Sequence, residues 1–136
     1  MSLIVPDTYE LEVLHGVIDA GLTVKLYSND YTPSGSTTLS AFTECTGGGY
    51  APLILNPANW NVVAGDPTVA TYNTTLIWTF TGALGGPGTA YGYYVIKTSN
   101  SDLMWAERFP AGSLPFSPST GSQVRLLARY SVQSQF

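Results

Sequence analysis

In three stretches of this 136-residue chain apolar positions recur every second residue, the period of a strand with one buried face. Leu22, Val24 and Leu26 alternate with Thr23, Lys25 and Tyr27, which predicts a strand over residues 22–28 with one wet face. Leu76, Trp78 and Phe80 alternate in the same way with Thr75, Ile77 and Thr79. Near the end Val124, Leu126, Ala128, Tyr130 and Val132 alternate with Gln123, Arg125, Leu127, Arg129 and Ser131, predicting one long half-buried strand over residues 122–133. Shorter runs at 50–55, 60–63 and 69–72 read as strands, the first two around a corner at Asn56-Pro57. One helical pattern stands near the start, where Asp7 or Thr8 caps a segment to about Gly16 that gathers Leu11, Leu14, Val17 and Ile18 on one side. Residues 1–6, with Leu3, Ile4 and Val5 ahead of Pro6, read as an extended arm outside the fold.

The strongest local signal is a hairpin. Residues 91–98 and 103–109, rich in aromatic and β-branched side chains, flank the polar Ser99-Asn100-Ser101-Asp102. Setting Thr98 opposite Leu103 pairs Ile96 with Trp105 and Tyr94 with Glu107 on one face, and puts Val95, Tyr93 and Lys97 against Ala106, Arg108 and Met104 on the other. Both faces are apolar in the middle, so the pair is covered twice, by another subunit or by a long loop. Residues 29–38 form a long turn, 39–44 a helical turn, Gly47-Gly48-Gly49 a flexible bend, 82–89 a glycine-rich loop, and 110–121 a proline-rich crossover between sheets. Seven or eight strands and one short N-terminal helix make an all-β sandwich in a single domain spanning residues 1–136.

Composition narrows the partners. Charged residues are 10% of the chain, against about a quarter in ordinary globular proteins, so the surface is neutral and hydroxyl-rich. The net charge is −4, and Lys25, Lys97, Arg108, Arg125 and Arg129 are scattered, which argues against nucleic acid. No apolar run approaches the ~20 residues of a membrane helix. The start lacks the basic region of a signal peptide, so production and retention in a host cytoplasm, or release by lysis, is the expectation. Three consecutive apolar residues in an arm are poorly placed in water, which makes Leu3, Ile4 and Val5 the candidate interface residues.

Catalytic chemistry finds little footing. Cys45 is alone and reads as a small buried hydrophobe. His15, the single histidine, falls in the predicted helix as a surface residue without the partners of a triad or metal site. Glu44, Asp66, Asp102 and Glu107 have no spacing that pairs them, and Glu107 reads as a rim residue or as bonded to a tyrosine or arginine such as Tyr94. The triple glycine is not followed by the Lys-Ser/Thr of a phosphate loop. Asn73-Thr74-Thr75 is a glycosylation pattern without meaning unless the chain is secreted. Trp60, Trp78 and Trp105 can line a sugar platform, but at strand period they read first as core. No catalytic residue, cofactor or metal is expected.

The succession Val24-Lys25-Leu26-Tyr27-Ser28-Asn29-Asp30-Tyr31-Thr32-Pro33, then Thr38-Leu39, Gly49-Tyr50-Ala51 and Trp78-Thr79-Phe80, then Tyr91-Gly92-Tyr93-Tyr94-Val95 with Leu103-Met104-Trp105-Ala106-Glu107-Arg108-Phe109-Pro110, resembles small virion proteins of tailed bacteriophages. It is most similar to the jelly-roll cement, or decoration, proteins on the capsids of short-tailed phages, cyanophages included. The resemblance covers residues 22–110 and departs at the crossover 110–121 and the triple glycine. It implies a jelly-roll sandwich that binds the major capsid protein on the outside of the shell and stabilises the shell without enzymatic activity; apolar and hydroxyl-bearing surface to be buried against sister copies makes a homo-oligomer on the virion the further expectation. It carries over no site residues. The competing expectations are a tail or fibre component and a carbohydrate-binding module for host recognition.

Overall fold

The computed structural model describes residues 7–65 and 67–132. One helix, α1 (Asp7–Ile18), precedes nine strands: β1 (Leu22–Tyr27), β2 (Leu53–Leu55), β3 (Trp60–Val63), β4 (Thr68–Tyr72), β5 (Leu76–Thr79), β6 (Gly92–Lys97), β7 (Leu103–Arg108), β8 (Gln123–Leu126) and β9 (Arg129–Val132). All pairings are antiparallel, in three sheets of order β2-β1-β6-β7, β3-β4-β9 and β5-β8. The described residues form an all-β sandwich with a single short α-helix. The four-stranded sheet is one layer, and its inner residues Leu22, Val24, Leu26, Tyr93 and Val95 share a core with Tyr72, Leu76 and Trp78 of the other two sheets and with Ala128 between β8 and β9. Leu22, Val24 and Leu26 are fully buried, each contributing about 1.5–3 kcal/mol of transfer free energy. Helix α1 closes a satellite cluster, with Leu14 and Ile18 against Ala70 and with Trp60, Val62 and Tyr130 packed around them.

The first strand departs from the one-wet-face expectation. Thr23 and Tyr27 are buried and only Lys25 is half-buried, because residues 28–46 fold back over the outer face. There Phe42 stacks on Tyr94 at 4.7 Å and 5° and leans on Tyr27 at 4.9 Å, while Tyr31 meets Phe42 edge-on at 5.6 Å. The doubly apolar hairpin is therefore covered by a long loop of its own chain. Lys25 reaches that loop through Glu44 at 3.3 Å.

The hairpin forms, but with faces exchanged relative to the expected pairing. Val95 lies opposite Trp105, Tyr93 opposite Glu107, Tyr94 opposite Ala106 and Ile96 opposite Leu103, with an irregularity after Val95. The turn closes one step early: the Lys97 N–H donates to the Asp102 carbonyl (2.9 Å), and Ser101 takes a left-handed φ of 62°. Met104 is the extra residue of the bulge. A one-residue change of register moves every side chain to the other face, so Trp105 sits on the main-core side.

The long C-terminal strand is broken. Its first part, β8, pairs with β5 and its second, β9, with β4. Tyr72 still donates to the Ala128 carbonyl at 2.9 Å, but Leu76 pairs with Leu126, so Asn73, Thr74 and Thr75 bulge out opposite Leu127, and the ladder parts there. The glycine triplet is a tight contact and not a flexible bend: a Cβ on Gly48 (φ 60°) would lie 2.7 Å from the Gly82 carbonyl oxygen, and Thr81 donates to the Gly48 carbonyl at 2.9 Å.

Among the glycines, Gly92 on the outer face leaves the least room for a side chain. It pairs with Tyr27 on one side and Arg108 on the other, and a Cβ there would come within 2.6 Å of the Tyr27 ring and against the Glu107 carbonyl. Gly92→Ala is expected to cost about 1–3 kcal/mol, as insertions into close-packed interiors do. Urea denaturation measures this, and an unchanged midpoint would mean that the ring and strand yield freely.

Candidate functional site

The outer face is organised by a polar clamp beneath its aromatic cover. Tyr27, fully buried, donates its hydroxyl to the Tyr31 carbonyl at 2.9 Å. From the far side of Gly92, Arg108 donates to the same carbonyl at 3.1 Å, pairs with Asp30 at 2.7 Å and lies 5.2 Å from the centroid of the Tyr91 ring. Tyr31 in turn meets Thr37 through their hydroxyls at 2.9 Å. The loop after β1 is thereby held over and beside the hairpin.

Beside this clamp runs a groove of about 400 Å³ lined by Pro33, Ser34, Gly35, Thr37, Leu103, Met104, Trp105 and Ala106. One wall is the loop; the other is four consecutive residues of β7, so the groove follows the edge of the strand and not one face of the sheet. Among the described residues no strand pairs with that edge. Trp105 is half-buried and stacks on Tyr130 at 5.3 Å and 28°. A smaller hollow of about 260 Å³ lies between the 110–121 crossover and β8, lined in part by Phe109, Phe116, Val124 and Arg125.

The other sequence candidates fall apart in space. His15 is exposed, 3.2 Å from Asp19. Cys45 is buried, and burial with the neighbouring Glu44 carboxylate pushes its thiol up to about 12, so it carries no thiolate at neutral pH. Glu44 is occupied by Lys25 and by the Tyr50 hydroxyl at 2.9 Å. Asp102 accepts from the Asn100 side-chain amide in the hairpin turn, Glu107 stands exposed at the rim opposite Tyr93 instead of Tyr94, and Asp66 lies outside the described residues. Among the described residues no three His, Cys, Asp or Glu side chains gather as a metal site would require. Trp78 is buried, donating to the Ala51 carbonyl at 3.0 Å, and Trp60 is half-buried edge-on to Tyr72. The candidate interface residues Leu3, Ile4 and Val5 lie outside the described residues. The groove was not read from sequence: the long turn and the doubly apolar hairpin were both visible, but not that β7 ends a sheet. Compared with protein-family models, curated proteins and solved structures, the chain matches none.

The buried phenols make this face sensitive to alkali. Burial raises Tyr27 and Tyr94 to about 12, against the lowering pull of Arg108 on the first and with the Glu44 carboxylate adding to the second. Burial also raises Tyr50 and Tyr93. A folded-state pKa above the unfolded one gives stability that is complete below about pH 10 and lost as pH rises towards 12. Tyrosinate absorbance and circular dichroism followed against pH are expected to change together in a steep transition over that window. Tyrosinate forming near pH 10 without loss of structure would show the cluster to be open to water.

Proposed function

We propose that this chain is a structural assembly protein: a jelly-roll cement, or decoration, protein that sits on the outside of a tailed-phage capsid, binds the major capsid protein and its own sister copies, and stabilises the shell. The observation that carries the assembly reading is the open edge of β7. Sheet edges in proteins that stay alone are blunted by charge, proline or cover. Leu103, Met104, Trp105 and Ala106 hold neither charge nor proline, and a groove runs alongside them. Elsewhere Ile77 on β5 (40% exposed), opposite Arg125, and Leu127 just past β8 (53%) put further apolar side chains on the surface of a chain with few charges. The capsid location rests on the resemblance of residues 22–110. Adhesion then comes from main-chain hydrogen bonds and apolar burial, with no catalysis and no cofactor in the reading.

Such an interface resists salt. At 1 M the Debye length is ~3 Å, which screens charge pairs and leaves apolar and main-chain contacts intact. The protein mixed with undecorated phage shells is expected to sediment with them, to stay bound through a 1 M sodium chloride wash, and to raise the temperature at which the shells open. Failure to bind at low salt, or release by salt alone, would overturn this function.

A further inference from the structure

We propose that the β7 edge receives, as an added strand, residues 1–5 of a second copy of this chain. The inference rests on the assembly reading above and names the segment that mediates contact between copies. The alternation of backbone groups along β7 is set by two hydrogen bonds. Phe109 donates to the Tyr91 carbonyl at 2.9 Å, so Glu107 and Trp105 also turn their N–H and C=O towards β6, and Ala106 and Arg108 aim theirs outward. Across the bulge, Lys97 donates to the Asp102 carbonyl at 2.9 Å, which turns Leu103 outward as well. Leu103, Ala106 and Arg108 thus offer a row of main-chain donors and acceptors, the template for strand addition.

The groove selects what can use that row. Its far wall, the loop through Pro33 and Thr37, is tied down by the Arg108–Asp30 pair, the Arg108 bond to the Tyr31 carbonyl and the Tyr31–Thr37 hydroxyl contact, so an added strand has to lie between that loop and β7. Residues 1–5 have the matching chemistry: Leu3, Ile4 and Val5 are apolar, two of them β-branched, and none of the five side chains is charged. At about 3.3 Å per residue they are close to the length of six-residue β7, and Pro6, lacking an N–H, ends the ladder. The other end of the chain, Gln133-Ser134-Gln135-Phe136, is polar but for one residue and does not match. Exchange of an identical segment between copies is a low-cost route to association.

The test separates the two halves of the contact. Sedimentation velocity at micromolar concentration is expected to show the full chain associating, and a chain lacking residues 2–5 associating more than about tenfold more weakly with unchanged circular dichroism. Ala106→Pro removes an outward N–H that makes no bond within the sheet, and is expected to abolish association of a folded chain. Mixed together, the shortened chain supplies an open edge and the Ala106→Pro chain supplies an arm, so the pair is expected to associate. If Ala106→Pro does not fold, a peptide of residues 1–6 titrated into the shortened chain replaces it. That peptide is expected to shift tryptophan emission through Trp105, and the same peptide with Ile4→Pro is not. A monomeric full chain, undiminished association of the shortened chain, or no association in the mixture or with the peptide overturns the inference. Shell binding by the same variants reports separately on the assembly role: variants that cease to self-associate yet bind shells leave that role standing, and copies that pair but ignore shells remove it.

Discussion

The outer half of this molecule closes on one atom, the carbonyl oxygen of Tyr31. It accepts from the Tyr27 hydroxyl and from the Arg108 guanidinium, donors on strands two places apart, with Gly92 between them. Both reach it because Gly92 has no side chain. A Cβ there would displace the Tyr27 ring, and with it the hydroxyl that a fully buried phenol must satisfy. The arrangement also answers what an apolar outer face requires: Tyr27, Tyr94 and Ile96 need cover, and the loop that brings Tyr31 also brings Phe42.

The site follows from this clamp. Because Arg108 holds Asp30 and the Tyr31 carbonyl, the next residues of the loop run beside β7 and form the groove wall, yet its bonds go to the face of the sheet and to its own turn. The edge is left open. A residue that secures the fold therefore also shapes the groove beside the β7 edge, and the same charge pair is part of both.

In the opposite layer the controlling feature is a mismatch of chain length. Asn73, Thr74 and Thr75 face Leu127, so two long partners cannot stay in register and the layer divides into β3-β4-β9 and β5-β8. The apolar alternation survives the break: Val124, Leu126 and Tyr130 are half-buried and Ala128 is buried, while Gln123, Arg125, Leu127 and Arg129 are exposed. Side-chain facing is local and outlasts a change of pairing partner. Pairing itself is not.

That distinction separates what the sequence by itself determined from what the tertiary structure decided. Period-two alternation was enough for the all-β class, the strands at β1, β5 and β8, and the hairpin; helical spacing was enough for Leu14 and Ile18 as the buried side of α1. These are properties of a few neighbouring residues, governed by backbone geometry and the exclusion of apolar groups from water. The burial of Tyr27 in a strand that reads as half-wet, the exchanged faces of the hairpin, the glycine contact at Gly48 and the open edge of β7 depend on residues far away in the chain: Phe42 over Tyr94, a bulge at Met104, the Gly82 carbonyl, and a sheet order that ends at β7. A strand carries no local mark of what lies beside it, because its edge groups are the same backbone N–H and C=O whether another strand, a loop or water meets them.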